Sequence, residues 1–167
     1  MARVFPSMPS TNTLGEQAKV LRWLQERVLA AQKEDAGRAC NAAGQLDAMS
    51  AREYAIWEAG ERLRQLLVQR RSWRGRSALL DAVAQLLGNA SFGRGREPLL
   101  WVLGQFGREA YSSQLAPFLK DSELAGHALE GLLKGKISGF GAAVRPLLRH
   151  PLAWVRKDAK RYLERFS

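Results

Sequence analysis

The stretch VRPLLRHPLAWVRKDAKRYL, residues 144 to 163, predicts two helices separated by a tight turn. The histidine–proline pair in its middle marks the turn, because proline cannot continue a helix and restricts the residue before it. After the turn, Val155, Ala159 and Leu163 recur four residues apart, which places their side chains on one face of a helix. The stretch therefore predicts a helical hairpin whose second helix packs through one apolar face.

A second stretch, LAPFLKDSELAGHALEGLL at residues 115 to 133, repeats this pattern. Pro117 and Pro146 occupy equivalent positions in the first helices, and each is followed by a leucine two residues later. With two residues inserted at the turn, the second helices correspond through Leu124, Ala128 and Leu132 in one and Val155, Ala159 and Leu163 in the other. Internal repetition of a helical unit is typical of a stack of hairpins, in which each unit buries its apolar face against a neighbour.

Helical periodicity extends over most of the remaining chain. Two capping boxes, Thr13 with Glu16 and Ser50 with Glu53, predict the starts of two long helices. A glycine-rich loop is predicted before Pro98, a residue that suits the first turn of a helix. The predicted helices span about residues 13–33, 50–71, 79–87, 98–107, 110–120, 122–134, 139–149 and 151–166, and no segment alternates long enough to be a convincing strand.

Residues 146 to 163 resemble a HEAT repeat. The first helix has the proline and leucines of such a repeat, and the second has its V-R-x-x-A-x-x-x-L run, supplied by Val155, Arg156, Ala159 and Leu163. The resemblance is good for this unit, fair over residues 110–133, weak over 76–107 and not visible before residue 70. It implies an all-α fold, a short right-handed α-solenoid of HEAT-like hairpins. The predicted organisation is a disordered N-terminus (1–12), two longer N-terminal helices that cap the stack (13–71) and the repeat stack itself (76–167).

The chain carries a net charge of +10, and this charge is unevenly distributed. Residues 1–61 hold seven Lys or Arg against eight Asp or Glu, a balance of −1, whereas residues 62–167 hold nineteen against eight, a balance of +11. Such asymmetry predicts attraction to an acidic partner, because the summed field steers association whatever the fold. Nucleic acid, anionic lipid and acidic protein all meet this description.

Two groups of basic and aromatic residues are the candidate partner-binding sites. The middle group is Arg70, Arg71, Trp73, Arg74 and Arg76, and the terminal group is Arg149, Trp154, Arg156, Lys157, Lys160 and Arg161. In the last predicted helix these cations lie opposite the apolar face, and Trp154 and Asp158 emerge beside them. Trp154 is either an exposed interface anchor or a residue packed on a neighbouring helix.

Helical-repeat stacks leave an extended concave face for partners, so binding is the expected activity. The sequence predicts a non-enzymatic protein-binding module that docks an acidic protein, such as a bacterial adaptor or a toxin-neutralising immunity protein. The alternative is a nucleic-acid binder that recognises backbone phosphates and shape, to which Arg94 and Arg96 would also contribute. A third possibility follows from HEAT-like alkylpurine DNA glycosylases, since Trp154 and Asp158 offer an aromatic ring and a carboxylate. The pair lies in the final helix, with nothing after it to close a site.

Few residues of the kinds that bind metals or form disulfides are present. One cysteine, Cys40, cannot form an intramolecular disulfide, and one thiol with two histidines is too few for a typical zinc site. We therefore expect no cofactor and no metal. The N-terminal residues lack the apolar run of a signal peptide, and no stretch approaches the length of a membrane span, so a cytoplasmic protein without a membrane partner is expected. The sequence leaves the oligomeric state open.

Overall fold

The computed structural model describes residues 14–37, 49–69 and 77–166, and all regular structure in these ranges is helical. The predicted all-α class is therefore confirmed. The predictions for residues 1–12, for Thr13, for Cys40 and for the middle basic group, Arg70, Arg71, Trp73, Arg74 and Arg76, lie outside the described residues. Within the described ranges, none of the helices combines the length and the apolar character that crossing a bilayer requires.

Within the described ranges, eight α-helices alternate with shorter turns of helix. They are α1 (Leu14–Ala31), α2 (Ala51–Gln69), α3 (Ser77–Leu87), α4 (Glu97–Val102), α5 (Ser112–Leu115), α6 (Ala125–Gly135), α7 (Gly141–Val144) and α8 (Ala153–Phe166). A π-helical turn, Leu103–Gly107, extends α4, and 3₁₀ turns span Ala90–Arg96, Arg108–Tyr111, Ala116–Lys120 and Arg145–Arg149. Most predicted helices lie within a few residues of observed ones, and the helices predicted at 110–120 and 139–149 consist of consecutive short turns.

The start of α2 is fixed by the capping box that the sequence predicts. The Glu53 amide donates to Ser50 Oγ at 3.2 Å, and the Ser50 amide donates to Glu53 Oε2 at 2.8 Å. The other carboxylate oxygen of Glu53, a residue only 3% exposed, accepts a hydrogen bond from the Arg94 amide at 2.9 Å. One buried side chain thus caps its own helix and ties it to the segment that leads into α4.

The glycine-rich segment before α4 is a 3₁₀ helix, Ala90–Arg96, where the sequence predicted a loop. Asn89 caps it by accepting a hydrogen bond from the Ser91 amide at 3.0 Å, and Gly93 (φ 41°, ψ −129°) provides a kink inside it. Phe92 is fully buried and anchors the turn in the core. Glycine spacing predicts a break in helical structure but does not reveal such an anchor.

Four helices, α2, α4, α6 and α8, form an inner row in which each contacts the next. Near the start of α4 and α6, Glu97 Oε1 lies 3.7 Å from His127 Nε2. Near their ends, a β-carbon on Gly135 would overlap the carbonyl of Gly104. Starts adjoin starts and ends adjoin ends, so neighbouring inner helices run parallel. Each inner helix packs on the segment that precedes it in the chain, which we call its outer segment. The outer segments are α1, α3, residues 108–120 and residues 141–149.

Two positions in the described residues combine a side chain with positive φ. Arg108 (φ 53°, ψ −140°) follows the π-helical turn, and Lys136 (φ 56°, ψ 41°) caps α6. The cap of α6 has two hydrogen bonds, from the Ile137 amide to Leu132 O at 2.9 Å and from the Lys136 amide to Leu133 O at 3.2 Å. Left-handed backbone costs a residue with a β-carbon roughly 1–2 kcal/mol, and glycine adopts it without this cost.

Candidate protein-binding surface

The last hairpin exposes apolar side chains among cations. Leu148, Leu152 and Trp154 are 40%, 50% and 41% exposed. Helical spacing puts Leu152 on the same face as Val155, but Leu152 precedes the first residue of α8 and is exposed. The same hairpin also carries exposed cations, which come from residues 145–149 and from α8: Arg145, Arg149, Arg156, Lys157, Lys160 and Arg161. We call these nine residues the terminal surface. Exposed apolar side chains accompanied by charged ones are typical of a protein-binding site.

Trp154 packs on a neighbouring helix and is also partly exposed. Its ring lies 5.4 Å from the His127 ring at an interplanar angle of 56°. The ring also lies over Gly126, where an added β-carbon would overlap it. This contact with α6 holds one part of the indole and leaves the remainder in solvent. A ring held in place loses little conformational entropy on binding, which suits an interface anchor.

The buried face of α8 explains why the terminal surface is oriented outward. Val155 and Ala159 are buried, as their spacing predicts, together with Tyr162, whereas Leu163 is half-buried. The Tyr162 hydroxyl donates to Ile137 O at 2.9 Å and accepts from the Phe140 amide at 3.2 Å. Burial raises the pKa of Tyr162 above its ordinary value, because the charged phenolate would lose hydration. The opposite face of α8 therefore projects its cations into solvent.

The cations of the terminal surface do not have the same role. The Arg156 guanidinium donates to His150 O and to Pro151 O, both at 2.7 Å, and so stabilises the turn between the outer segment and α8. Lys160 forms an ion pair of 3.8 Å with Glu164 on the same helix, with side chains 75% and 65% exposed. Exposed pairs of this kind contribute little, so Lys160 can exchange Glu164 for a partner carboxylate.

Arg94 and Arg96, which would contribute to the nucleic-acid alternative, both make contacts within the fold. Arg94 Nε lies 2.8 Å from Glu97 Oε1. Arg96 is 9% exposed, donates to Gly93 O at 2.9 Å and to Leu87 O at 3.2 Å, and lies over the Phe118 ring. Burial lowers the pKa of Arg96, although nearby carboxylates oppose this shift. Sequence composition counted both arginines as surface charge, whereas the structure buries Arg96 and pairs Arg94, whose side chain is 40% exposed, with Glu97.

The inner row contributes a cluster that sequence analysis missed. The Trp101 ring on α4 lies between Arg64 of α2, at 4.9 Å, and Lys134 of α6, at 5.9 Å. Arg64 is also paired with Glu61, and this hydrogen bond is the main cause of its raised pKa. The carboxylate of Glu61 therefore accompanies these cations on the face of the inner row that carries Trp101, which we call the inner face. No sequence pattern links these residues, because they meet only through the packing of three helices.

The Trp154 and Asp158 pair does not lie in either of the two described clefts. One cleft, of about 550 Å³, is lined by Ala36, Glu53, Ala90, Ser91, Gly93, Arg96 and Glu123. The other, of about 350 Å³, is an apolar groove between α1 and α3. Within the described ranges, no group of three or more histidine, cysteine or acidic side chains could hold a metal ion.

Comparison of the chain with protein-family profiles, with curated proteins and with solved structures finds no match. The functional assignment therefore depends on the chemistry of the surface itself. The terminal surface combines a held aromatic ring, two exposed leucines and several cations on one hairpin.

Proposed function

We propose that this chain is a short right-handed α-solenoid of HEAT-like hairpins. Two observations support the proposal. The inner helices run parallel, and each pairs with the segment that precedes it, as expected for stacked hairpins and not for an up-and-down bundle, in which neighbours run antiparallel. The sequence repeat between residues 115–133 and 144–163 coincides with two successive hairpins.

The proposed function is that of a non-enzymatic protein-binding module, which docks an acidic protein through the terminal surface. The observation that carries it is the exposure of Leu148, Leu152 and Trp154 among cations on a single hairpin. Apolar side chains provide the buried centre of an interface, and the surrounding cations provide orientation and association rate. The partner would present apolar side chains flanked by aspartate or glutamate.

An acidic protein fits this surface better than nucleic acid does. Exposed leucines gain nothing from a phosphate backbone, whereas they gain burial against a protein. The inner face carries Glu61 beside Arg64, which would repel a polyanion that lay along it. An adaptor and an immunity protein are two roles open to such a module, and they differ in whether binding inhibits the partner.

Binding of defined probes tests the proposal. We would measure fluorescence anisotropy of a labelled peptide rich in leucine and glutamate, and of a labelled DNA duplex, across a salt series from about 50 to 300 mM. We expect the peptide to bind more tightly than the duplex at the upper end of this series. Trp154→Ala should weaken peptide binding about tenfold or more, as expected for an interface anchor.

A charge-reversal variant and a matched control complete the test. Lys157→Glu combined with Lys160→Glu should weaken peptide binding, because both cations are exposed on the terminal surface. Lys33→Glu combined with Lys120→Glu changes the net charge equally at two exposed cations outside this surface and should have little effect. Tighter binding of the duplex, weakened by the same double variant, would replace the proposal with the nucleic-acid alternative. Equal effects of the double variant and the control would show that net charge alone attracts the peptide.

A further inference from the structure

The two residues that combine a side chain with positive φ in the described part of the chain share unusual properties. Arg108 and Lys136 are both basic, both exposed, and both directly follow the end of an inner helical segment. Glycine adopts these backbone conformations at lower free energy than any residue with a β-carbon. The chain thus places a cation at each of two positions where glycine would be more stable. Costly backbone conformations are concentrated at functional sites, which makes these two exposed side chains candidates for a function.

Arg108 and Lys136 also lie on the same edge of the molecule. The inner helices run parallel, so their carboxyl ends lie side by side. Tyr162, near the end of α8, is hydrogen-bonded to Ile137 and Phe140 in the turn after α6. Glu109 lies close enough to Tyr162 to raise its pKa, although burial is the larger cause. These contacts bring together the segments that follow α4 and α6 and the last turns of α8.

Two more cations lie at the carboxyl ends of inner helices. Lys134 in the last turn of α6 and Arg165 in the last turn of α8 are both exposed. We call Arg108, Lys134, Lys136 and Arg165 the basic edge. Favourable interaction with helix dipoles explains cations in a last turn, as for Lys134 and Arg165. It does not require a cation at a position with positive φ, since the helix already gains this interaction from its last turn.

We propose that the basic edge binds an extended acidic segment of the partner, with one carboxylate for each successive inner helix. Packed helices lie about 8–10 Å apart, and an extended chain advances about 3.3 Å per residue. An acidic residue at every third position would therefore meet the cations in turn. The side chains between the acidic residues would face the half-buried rings of Phe140 and Phe166 near this edge. This inference rests on the proposed acidic-protein function and adds the shape and spacing of the segment.

Glu109 favours a peptide over a phosphate backbone at this edge. It is exposed and directly follows Arg108. A uniformly charged backbone would place phosphates against this carboxylate, whereas a peptide can place an uncharged residue there. The alternation of cations with a carboxylate thus matches a segment in which acidic residues are spaced.

Glycine variants separate a binding role from a structural role. In Arg108→Gly and Lys136→Gly, relief of the positive φ should raise the melting temperature or leave it unchanged, so these variants remain folded. The probe is a labelled peptide with glutamate at every third position, separated by glycine and serine. We expect each variant to bind it about threefold more weakly, and the double variant about tenfold, as for exposed charge pairs acting together. A purely structural role would give a melting temperature change with unchanged binding.

Controls distinguish this inference from the proposed function. A peptide of identical composition with its glutamates in one block should bind more weakly than the spaced peptide, and Lys120→Gly should bind both as the wild type does. If Trp154→Ala weakens binding of the leucine- and glutamate-rich peptide while the glycine variants bind the spaced peptide normally, the basic edge is overturned and the proposed function stands. Failure of the spaced peptide to bind, equal binding of the block peptide, or tighter binding of a single-stranded oligonucleotide also overturns it.

Discussion

Gly104 in the π-helical turn and Gly131 in α6 are in backbone contact. A β-carbon on Gly104 would overlap the Cα and carbonyl of Gly131, and a β-carbon on Gly131 would lie 2.8 Å from Leu100 O. Neither backbone can yield easily, because each belongs to a helix held by its other neighbours. This contact therefore sets how closely two inner helices approach.

Alanine at position 104 should destabilise the fold. We expect Gly104→Ala to lower the free energy of unfolding by about 3 kcal/mol, as other overpacked helix contacts do. Gly88→Ala is the control, since Gly88 is exposed at the end of α3 and has ordinary φ. Urea denaturation compares the two variants. Similar stabilities would show that the helices can separate without cost.

Loss of space beneath Trp154 should release its ring. In Gly126→Ala, the new β-carbon would occupy the position of the indole, so we expect the ring to move away from His127 and into solvent. The indole ¹H–¹⁵N resonance of Trp154, assigned with Trp154→Phe, should move towards the shift of an exposed tryptophan. An unchanged resonance would contradict the packing of Trp154 on α6.

Removal of the Glu53 side chain should lower the free energy of unfolding by more than the loss of an ordinary helix cap does. Its carboxylate accepts hydrogen bonds from the Ser50 and Arg94 amides, so Glu53→Ala leaves two donors without this acceptor. We expect a loss of about 2–3 kcal/mol, against about 1 kcal/mol for Ser50→Ala, which removes a single cap. Thermal unfolding of both variants shows which one loses more stability. A smaller loss of stability in Glu53→Ala than in Ser50→Ala would contradict this prediction.

Alkaline pH should weaken the contact between Tyr111 and α3. Its hydroxyl donates to Asp81 Oδ1 at 2.6 Å, and desolvation together with this bond raises the pKa of Tyr111 to about 12. Because the folded pKa is raised, the stabilisation is fully present below the ordinary tyrosine value of about 10 and is lost as pH rises through 12. The stability difference between wild type and Tyr111→Phe should shrink over this range. A stability difference that stays constant over this range would contradict the raised pKa of Tyr111.

Sequence periodicity predicted the helices well because burial imposes it directly. The Ser50–Glu53 capping box and the buried face of α8 were both evident from spacing alone. The 3₁₀ turn before α4 was missed because the burial of Phe92 depends on tertiary contacts, and glycine content favours a loop there.

The candidate site was only partly predictable for the same reason. The helical wheel of α8 predicts that its cations are exposed. Arg94 and Arg96, in contrast, bind groups whose positions no local sequence pattern specifies. The cluster around Trp101 joins three helices that are distant in sequence. Local spacing determines which face of a helix is polar, and only packing determines which polar groups remain available.

The parallel direction of the inner helices has an electrical consequence. Their dipoles add, so each helix start carries a partial positive charge of about half a unit and each end a partial negative one, and the full charges of Glu53 and Glu97 near the starts and of Lys134 and Arg165 near the ends oppose this field. Because a full charge exceeds the partial charge of a helix end, the cations keep the edge at the carboxyl ends positive. A negatively charged partner approaching through solvent would experience a torque as well as an attraction, and would turn towards this edge before the first contact forms.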